Sequence, residues 1–343
     1  MRFSPNFRNS MTNGRKTTSN KTMLFFRKGR TLMSKDVNVK KKSKIRGSWF
    51  DRTAMYFMLL PGVLLLVLFQ YLPKFGIVLA FKKYRYDMGI LGSEWCGLDN
   101  FKYFFKTPDA WLITRNTIAY NLVFIILGLV LAVTIAILFN ELASKYAAKA
   151  YQTIVLMPHF LSYVVVACLV FSFLSGENGM VNKTILPALG KKPINWYGEP
   201  KYWPYILTFV KIWKTIGYNS IVYLAAIAGI NKEYYEAAEV DGANKWQQIF
   251  HITLPGIRTM MSIMTIMAFG GIINSDFGLF YQVPMNSGLL NSTTSVLGTY
   301  IYNSMSDVGF STAAGVYVSV VGFLMILFTN WIAKKIDPES SLF

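Results

Sequence analysis

The chain has 343 residues, of which 53% are hydrophobic and 15% charged, and its formal net charge is +18. Soluble domains carry about a quarter charged residues, so this composition excludes an ordinary soluble enzyme and favours a membrane protein. The charge is uneven, because residues 1–52 hold 15 Lys and Arg against 2 acids, whereas residues 53–343 hold 20 against 15. A nucleic-acid-binding fold would spread its charge over a globular face, which excludes that class.

Residues 1–48 form a basic, polar tail that we predict to be largely disordered and cytoplasmic. Its one apolar patch, residues 23–26, is too short for the apolar region of a signal peptide and is followed by more basic residues. Two interpretations of the tail stay open. It binds anionic membrane lipid, or it is an unstructured extension that only sets the orientation of the chain.

Six apolar stretches follow the tail, each about as long as the roughly 20 residues that a helix needs to cross a bilayer. They lie near residues 54–81, 113–141, 151–175, 203–230, 259–281 and 311–333. The fourth contains Lys211 and Lys214, and the fifth contains Asp276. We therefore predict an all-α membrane protein, with six transmembrane helices in one domain over residues 49–343.

The tail also predicts the orientation of the domain. Seven Lys and Arg residues lie within residues 34–53, next to the first stretch. The positive-inside rule then places the N-terminus in the cytoplasm, and an even number of spans places the C-terminus on the same side. The expected location is a membrane, with both chain termini on its cytoplasmic side. Aromatic residues before the fourth stretch are typical of an interfacial belt, namely Trp196, Tyr197, Tyr202 and Trp203.

Residue types that carry out catalysis are sparse. Cys96 and Cys168 form no metal or disulfide pattern, and the two histidines, His159 and His251, lie far apart. We interpret His159, which follows Pro158, as a packing or interface residue. The sequence has no readable catalytic triad or carboxylate pair and no G-x-x-x-x-G-K-[ST] phosphate loop. We expect no catalytic site, metal or cofactor in this chain.

The loop between the fourth and fifth stretches, residues 231–255, carries the most informative pattern. Asn231 suits the N-cap of a short helix over residues 232–240. Gly242 then allows the chain to turn into a second short helix over residues 243–251, and a proline follows it. A helix–glycine–helix elbow that faces the cytoplasm suits a groove on a soluble partner.

This loop resembles a family signature, E-A-A-x3-G-x9-I-x-L-P, of permease subunits of binding-protein-dependent ABC importers. The variant E-A-A-E-V-D-G-A is similar to the carbohydrate branch. The residues concerned are Glu236, Ala237, Ala238, Asp241, Gly242, Ile252, Leu254 and Pro255. Further strings, such as Leu156-Met-Pro-His159 and Trp213-Lys-Thr-Ile-Gly-Tyr218, resemble polysaccharide and oligosaccharide permeases. The resemblance covers about residues 50–343.

The resemblance implies a type I ABC importer permease with a cytoplasmic coupling helix in the loop. It implies a second, similar permease subunit, usually a different chain, and two cytoplasmic ABC ATPase subunits that hold ATP and Mg. It also implies an extracellular solute-binding lipoprotein that delivers an oligosaccharide. Nucleotide would bias the permease between two states, so that the cavity opens to alternate sides. This chain would then not be an enzyme, and its location would be the bacterial cytoplasmic membrane. The loop would be cytoplasmic, in agreement with the tail.

Polar and aromatic side chains at membrane depth are the candidates for contact with the sugar. We expect the pathway to be lined by Lys211, Trp213, Lys214, Tyr218, Asn219, Asn274, Asp276 and Tyr281. The alternatives for these residues are helix–helix hydrogen bonding or a position near the membrane interface. Lys211 and Lys214 share one helix face, which raises the hypothesis of an acidic sugar. Lys214 alternatively has a structural role, because it lies in a string that resembles the family.

Two other function classes stay open on the sequence alone. A gradient-driven secondary transporter would be expected to show internal repeats, which we do not detect. A membrane scaffold would use the elbow only to recruit a cytoplasmic partner.

Overall fold

The structure is a computed structural model that describes residues 49–142 and 144–336. The predicted basic tail, residues 1–48, lies outside the described residues. The described part is mostly helical, and it has one two-stranded antiparallel ladder between β1 (Lys82–Lys83) and β2 (Glu94–Trp95). The described residues divide into two compact units, one that ends at residue 73 and one that begins at residue 74.

The first unit contains α1 (Trp49–Leu66), which continues as a π-helical turn over Val67–Tyr71. Large apolar side chains along it are exposed, for example Phe57 at 72% and Met58 at 82%. Burial of such side chains is favourable by about 25 cal/mol per Å², so a helix of this kind is stable only against lipid or another apolar surface. The chain then forms a 3-10 segment over Leu72–Phe81.

The second unit is built from long helices joined by short helical turns. The main helices are α2 (Asp99–Lys106), α3 (Pro108–Asn140), α4 (Lys145–Leu156), α5 (Tyr163–Leu174), α6 (Trp203–Ala228), α7 (Lys232–Val240), α8 (Lys245–Gln248), α9 (Arg258–Gly270), α10 (Leu297–Asn303) and α11 (Val308–Ile336). The short helical turns are Gly89–Gly92, Met157–Phe160, Val181–Ile185, Leu186–Ala188, Pro200–Tyr202, Ile249–Thr253, Leu254–Gly256, Gly278–Gln282, Gly288–Leu290 and Asn291–Thr294.

Three described helices are long and apolar enough to cross a membrane, namely Met55–Phe81, Pro108–Asn140 and Val308–Ile332. Two bent pairs raise the number to five if each pair counts as one span: Tyr146–Phe160 with Tyr163–Leu174, at 98°, and Lys245–Gly256 with Arg258–Gly270, at 58°. The helix α6 has 26 residues, but its polar and charged side chains make it less apolar than these. The count of six spans therefore stays a prediction.

Two predicted spans differ from the structure, because neither is one continuous helix. In the stretch 151–175, helix is interrupted at Leu161 and Ser162, and the Ser162 hydroxyl caps α5 by accepting from the Val165 amide, at 3.3 Å. In the stretch 259–281, α9 ends at Gly270 and residues 271–276 are not helical. Apolar composition alone hides such breaks, since irregular backbone is tolerated at membrane depth where protein groups satisfy it.

Three clusters of buried side chains hold the second unit together. The first joins α3, α5 and α6 to residues 279–296, the second joins α2, α3, α10 and α11, and the third joins α3 and α6 to residue 257. Trp203 lies in the first cluster with no exposed surface, and its Nε1 donates to the Trp196 carbonyl at 2.8 Å. The expected belt position of Trp203 is therefore wrong, because its ring fills the core at the start of α6.

A close approach of α4 and α6 requires glycine. A Cβ atom at Gly217 would lie 2.2 Å from the Val155 carbonyl oxygen and 2.8 Å from the Leu156 Cα. Backbone atoms cannot move aside as a flexible side chain can, so no larger residue fits there. At Gly128 of α3, by contrast, a Cβ would meet only Ile212 Cδ1, at 4.0 Å.

Candidate functional site

The first arm of the elbow is the predicted short helix. The helix α7 covers Lys232–Val240, as predicted, and the Asn231 Oδ1 accepts from the Glu233 amide at 3.1 Å. This cap satisfies one of the free amides at the helix start, and Glu233 lies in the first turn where the helix dipole favours a negative charge. The chain then turns at Gly242, whose φ is +79°. The turn therefore depends on a backbone conformation that glycine adopts without strain.

The second arm begins later and extends further than predicted. The helix α8 starts at Lys245, because Asn244 and Gln247 form a reciprocal capping box, with bonds of 2.9 and 2.8 Å. Helical backbone then continues through Ile249–Thr253 and Leu254–Gly256. Pro255 lies in the first turn of the last segment, where its missing amide costs little. The arm therefore continues past Pro255, and it ends at Gly256.

Three contacts hold the elbow, two between its own arms and one to the end of α3. The hydroxyls of Tyr235 and Thr253 are 2.9 Å apart and join the two arms. The Lys245 Nζ lies 3.4 Å from a Glu239 carboxylate oxygen and 3.9 Å from one of Glu141, just beyond α3. Exposed ion pairs contribute little stability, so the buried Thr253 is the stronger constraint on the angle between the arms.

The elbow has exposed apolar side chains on its surface. Val240 is 89% exposed, Trp246 is 71% exposed, and the Trp246 and Phe250 rings stack with centroids 6.5 Å apart. Among the residues that follow the signature, five are exposed (Glu236, Ala237, Asp241, Gly242 and Pro255) and three are half-buried (Ala238, Ile252 and Leu254). Exposed aromatic residues rimmed by charges are typical of a protein-binding surface.

A second site is a cavity of about 430 Å³ between α3, α6 and α9, and the 3-10 turn after α4 closes one side of it. Its polar lining comes from Asn121, His159, Lys211, Thr215, Tyr218, Asn219 and Thr265. Leu129, Met264 and Ala268 supply apolar surface. A few polar groups within an apolar wall are typical of a small-molecule site.

Lys211 is paired rather than free. Its Nζ donates to the Asp276 Oδ2 at 2.7 Å, and the two side chains are 24% and 25% exposed. The Tyr163 hydroxyl donates to the same Oδ2, and the Leu279 amide donates to Oδ1 at 3.3 Å. Asp276 therefore connects α6, the start of α5 and the segment after α9.

Lys214 serves the break between α4 and α5. Its Nζ donates to the carbonyls of Pro158, His159 and Leu161, at 3.4 Å and 2.8 Å for the first two, and lies 5.0 Å from the centre of the Tyr163 ring. Its side chain is buried. Since these carbonyls accept from the ammonium group, Lys214 stabilises the bend of 98° and is not part of the cavity lining.

The predicted pathway residues thus separate into two groups. Lys211, Tyr218 and Asn219 line the cavity, and Asp276 contacts it through Lys211. The others lie elsewhere: Trp213 packs against the first core cluster, the Asn274 carbonyl accepts from Asn121 Nδ2 at 2.8 Å, and Tyr281 stacks on Phe277 at 4.8 Å.

Sequence reasoning did not assign four polar residues to the cavity wall, namely Asn121, His159, Thr215 and Thr265. The His159 ring stacks on Tyr218, with centroids 4.8 Å apart and planes at 11°. Its buried Nδ1 has no hydrogen-bond partner among the described residues. Asn121 donates to the carbonyls of Ile272 and Asn274, each at 2.8 Å, and so holds the non-helical segment after α9 against α3. The signal that could have found Asn121 is a polar residue inside the long apolar run of α3.

The segment between α5 and α6 is also held by a buried polar residue. Asn182 is 3% exposed, accepts from the Ile194 amide and from Trp196 Nε1, at 3.2 and 3.0 Å, and donates to the Gly176 carbonyl at 3.0 Å. Burial raises the pKa of Tyr197 in this segment to about 12. These contacts give a long connection a defined shape.

Apolar helices around a polar cavity, with an exposed helical elbow beside them, define the membrane-embedded part of a transport system. Residues 124–338 match the family of binding-protein-dependent transport system inner membrane components. The chain belongs to this family.

Its relatives agree over most of the chain. It is 34% identical over 288 residues to the protein LplB of Bacillus subtilis, which covers 83% of this chain and 90% of that protein. It is 33% identical over 306 residues to the polygalacturonan/rhamnogalacturonan transport system permease YteP of the same organism, covering 87% and 93%. A crystal structure of a bacterial ABC transporter for import of the acidic polysaccharide alginate matches with a TM-score of 0.76 and 34% identity, over 83% of this chain and 96% of that one.

Proposed function

We propose that this chain is a transmembrane subunit of an ATP-driven importer, which passes an oligosaccharide from an extracellular binding protein across the cytoplasmic membrane by alternating access. Membership of the family and the sugar polymers in the names of YteP and the alginate transporter support this function. The observation that carries it is the polar cavity, which lies between the helices of a permease of that family. Membership of this family also argues against the two alternatives, a gradient-driven transporter and a scaffold.

The cavity has the groups that a sugar requires. Sugars offer hydroxyls that donate and accept hydrogen bonds, and apolar ring faces that stack on aromatic side chains. Asn219 provides an amide, Thr215 a hydroxyl and Tyr218 a half-exposed ring, at 51%. We assign Tyr218, Asn219 and Lys211 to substrate contact and give Lys214 and Trp213 structural roles.

The elbow, residues 231–256, is the proposed coupling element. Its exposed aromatic residues and Glu236 would occupy a groove on a cytoplasmic ABC ATPase, which binds ATP and Mg in place of this chain. The proposal also places both termini in the cytoplasm and gives the chain six spans, with a second permease subunit completing the pathway. The absence of a phosphate-loop motif from the sequence supports a separate ATPase.

The test is ATP hydrolysis by the transporter reassembled in lipid with its binding protein, partner permease and ATPases. Hydrolysis should rise when binding protein and oligosaccharide are both added. Glu236→Lys should abolish this rise, because it places a positive charge where the partner is expected to hold a negative one. The matched control is Glu233→Lys on the same helix, which changes the cap and not the signature. A full stimulated rate with Glu236→Lys would contradict the coupling role.

A further inference from the structure

The cation in the cavity lining is Lys211, and it already forms an ion pair with a carboxylate of the same chain. The Asp276 Oδ2 lies 2.7 Å from the Lys211 Nζ. A cation in a membrane cavity is costly without an anion, and the pair leaves the cavity with no net charge from these two residues. In this state, therefore, the site for an anionic group is filled from within the protein.

Lys211 can leave Asp276 for another anion at a low cost in free energy, because Lys211 is not the only donor to the Asp276 carboxylate. Its carboxylate also accepts from the Tyr163 hydroxyl and from the Leu279 amide. When Lys211 is drawn to another anion, these two donors remain in place, and the carboxylate is still about a quarter exposed, at 25%. Its charge is therefore not left buried and unpartnered.

The neighbouring cation does not compete for a ligand. Lys214 donates to three carbonyls at the break between α4 and α5 and is 8% exposed. Lys211 is thus the group able to receive an anion, and Tyr218 and Asn219 lie in the same cavity wall.

We propose that a sugar carboxylate replaces Asp276 on Lys211, so that Lys211 selects oligosaccharides that contain uronic acids and Asp276 acts as its internal competitor. This inference rests on the proposed import function and names the substrate class. A neutral sugar brings no anion to compensate Lys211, so it leaves the internal pair intact. Tyr163 is a positioning residue, which holds Asp276 during the exchange.

The experiment compares trigalacturonate with its methyl ester, which has the same sugar rings but carries a methyl group in place of each negative charge. Uptake and stimulated ATP hydrolysis are measured on the complete transporter in proteoliposomes, with the wild type and with Lys211→Gln, Lys211→Arg and Asp276→Asn. The wild type should prefer the acid. Lys211→Gln should lower the ratio of acid transport to ester transport by roughly ten- to a hundredfold, as expected for a lost charged hydrogen bond. Lys211→Arg should restore the preference.

The variant Asp276→Asn should lower the KM for the acid, because an amide competes more weakly for Lys211. If Lys211→Gln does not fold, Lys211→Gln/Asp276→Asn removes both charges together and should transport acid and ester equally. A wild type that prefers the ester, or a Lys211→Gln effect equal for both probes, would overturn the inference and leave the import function in place. A wild type whose hydrolysis responds to neither probe would likewise overturn the inference alone, because the proposed function requires a response to an oligosaccharide but not to a uronic acid; a transporter that responds to no oligosaccharide would contradict the proposed function itself.

Discussion

The elbow and the cavity differ in how far apart along the chain their contacts lie. In the elbow, the contact that joins the two arms, Tyr235 to Thr253, spans 18 residues. In the cavity, Lys211 and Asp276 are 65 residues apart, and the Asn121 side chain reaches a carbonyl 153 residues away. A local element is specified by its own caps and glycine, whereas the cavity exists only after the helices have packed. Variants in the two regions should therefore fail in different ways.

The largest expected effect is on the elbow. Gly242→Pro should abolish transport and leave the amount of chain in the membrane unchanged, because proline requires φ near −65° and the turn at Gly242 has φ of +79°. Transport and co-purification of the ATPase are the measurements.

The matched control is Gly190→Pro. Gly190 has φ of +68° and, like Gly242, donates its amide to a carbonyl three residues earlier, at 2.9 Å against 3.1 Å. It lies between α5 and α6, so the ATPase should still co-purify. Loss of the ATPase with Gly190→Pro as well would show that the effect is a general failure to fold.

The second effect is on the packing beneath the cavity. Gly217→Ala should destabilise the protein by about 3 kcal/mol, since its Cβ would lie 2.2 Å from the Val155 carbonyl oxygen. Gly128→Ala, whose Cβ has 4.0 Å of room, should change the stability little. Thermal unfolding in detergent measures both. Equal melting temperatures for the two variants would refute the close approach of α4 and α6.

The third effect is on the break between α4 and α5. Lys214→Met should cost about 2 kcal/mol of stability, because it leaves the carbonyls of Pro158, His159 and Leu161 without their donor. Thr215→Ala is the control, since that hydroxyl bonds only within its own helix, to the Lys211 carbonyl. If Lys214→Met unfolds no earlier than Thr215→Ala, the structural role of Lys214 is wrong.

The smallest expected effect distinguishes a residue that lines the cavity from one that lies outside its lining. Asn219→Ala should raise the KM for uptake several-fold, as expected when one hydrogen bond of about 1 kcal/mol is lost, whereas Asn274→Ala should change it less. The reason is that Asn219 lines the cavity, while Asn274 is held through its main-chain carbonyl. Unchanged uptake with both variants would contradict the assignment of the cavity.

Much of the elbow was predictable because its signals are local. Asn231, Gly242 and the helix over residues 232–240 follow from capping and backbone preferences, and the structure confirms them. The second arm starts two residues later than predicted, at Lys245 and not at Ala243, because Asn244 caps it through a capping box with Gln247. The proline at position 255 did not stop the helix, since it opens a new helical segment.

The cavity was predictable only in part. Polarity at membrane depth indicated Lys211, Tyr218 and Asn219, which do line it. Polarity alone does not distinguish a side chain that faces a cavity from one that satisfies backbone carbonyls, so it grouped Lys214 with them. The same limit hid the breaks in the third and fifth predicted spans, because the groups that satisfy their free carbonyls come from distant helices. The stacking of His159 on Tyr218 was also not predictable from the sequence, because it depends on contact between two segments that are distant along the chain.

The central claim, that the elbow binds the ATPase, is tested most directly by photocrosslinking in the assembled transporter. A benzophenone amino acid is placed at position 240 or at position 91. Val240 and Leu91 are matched in exposure, at 89% and 94%, and Leu91 lies between β1 and β2, far along the chain from the elbow. The account predicts a crosslink to the ATPase from position 240 and none from position 91. Crosslinks from position 91 alone, or equally from both, would contradict it.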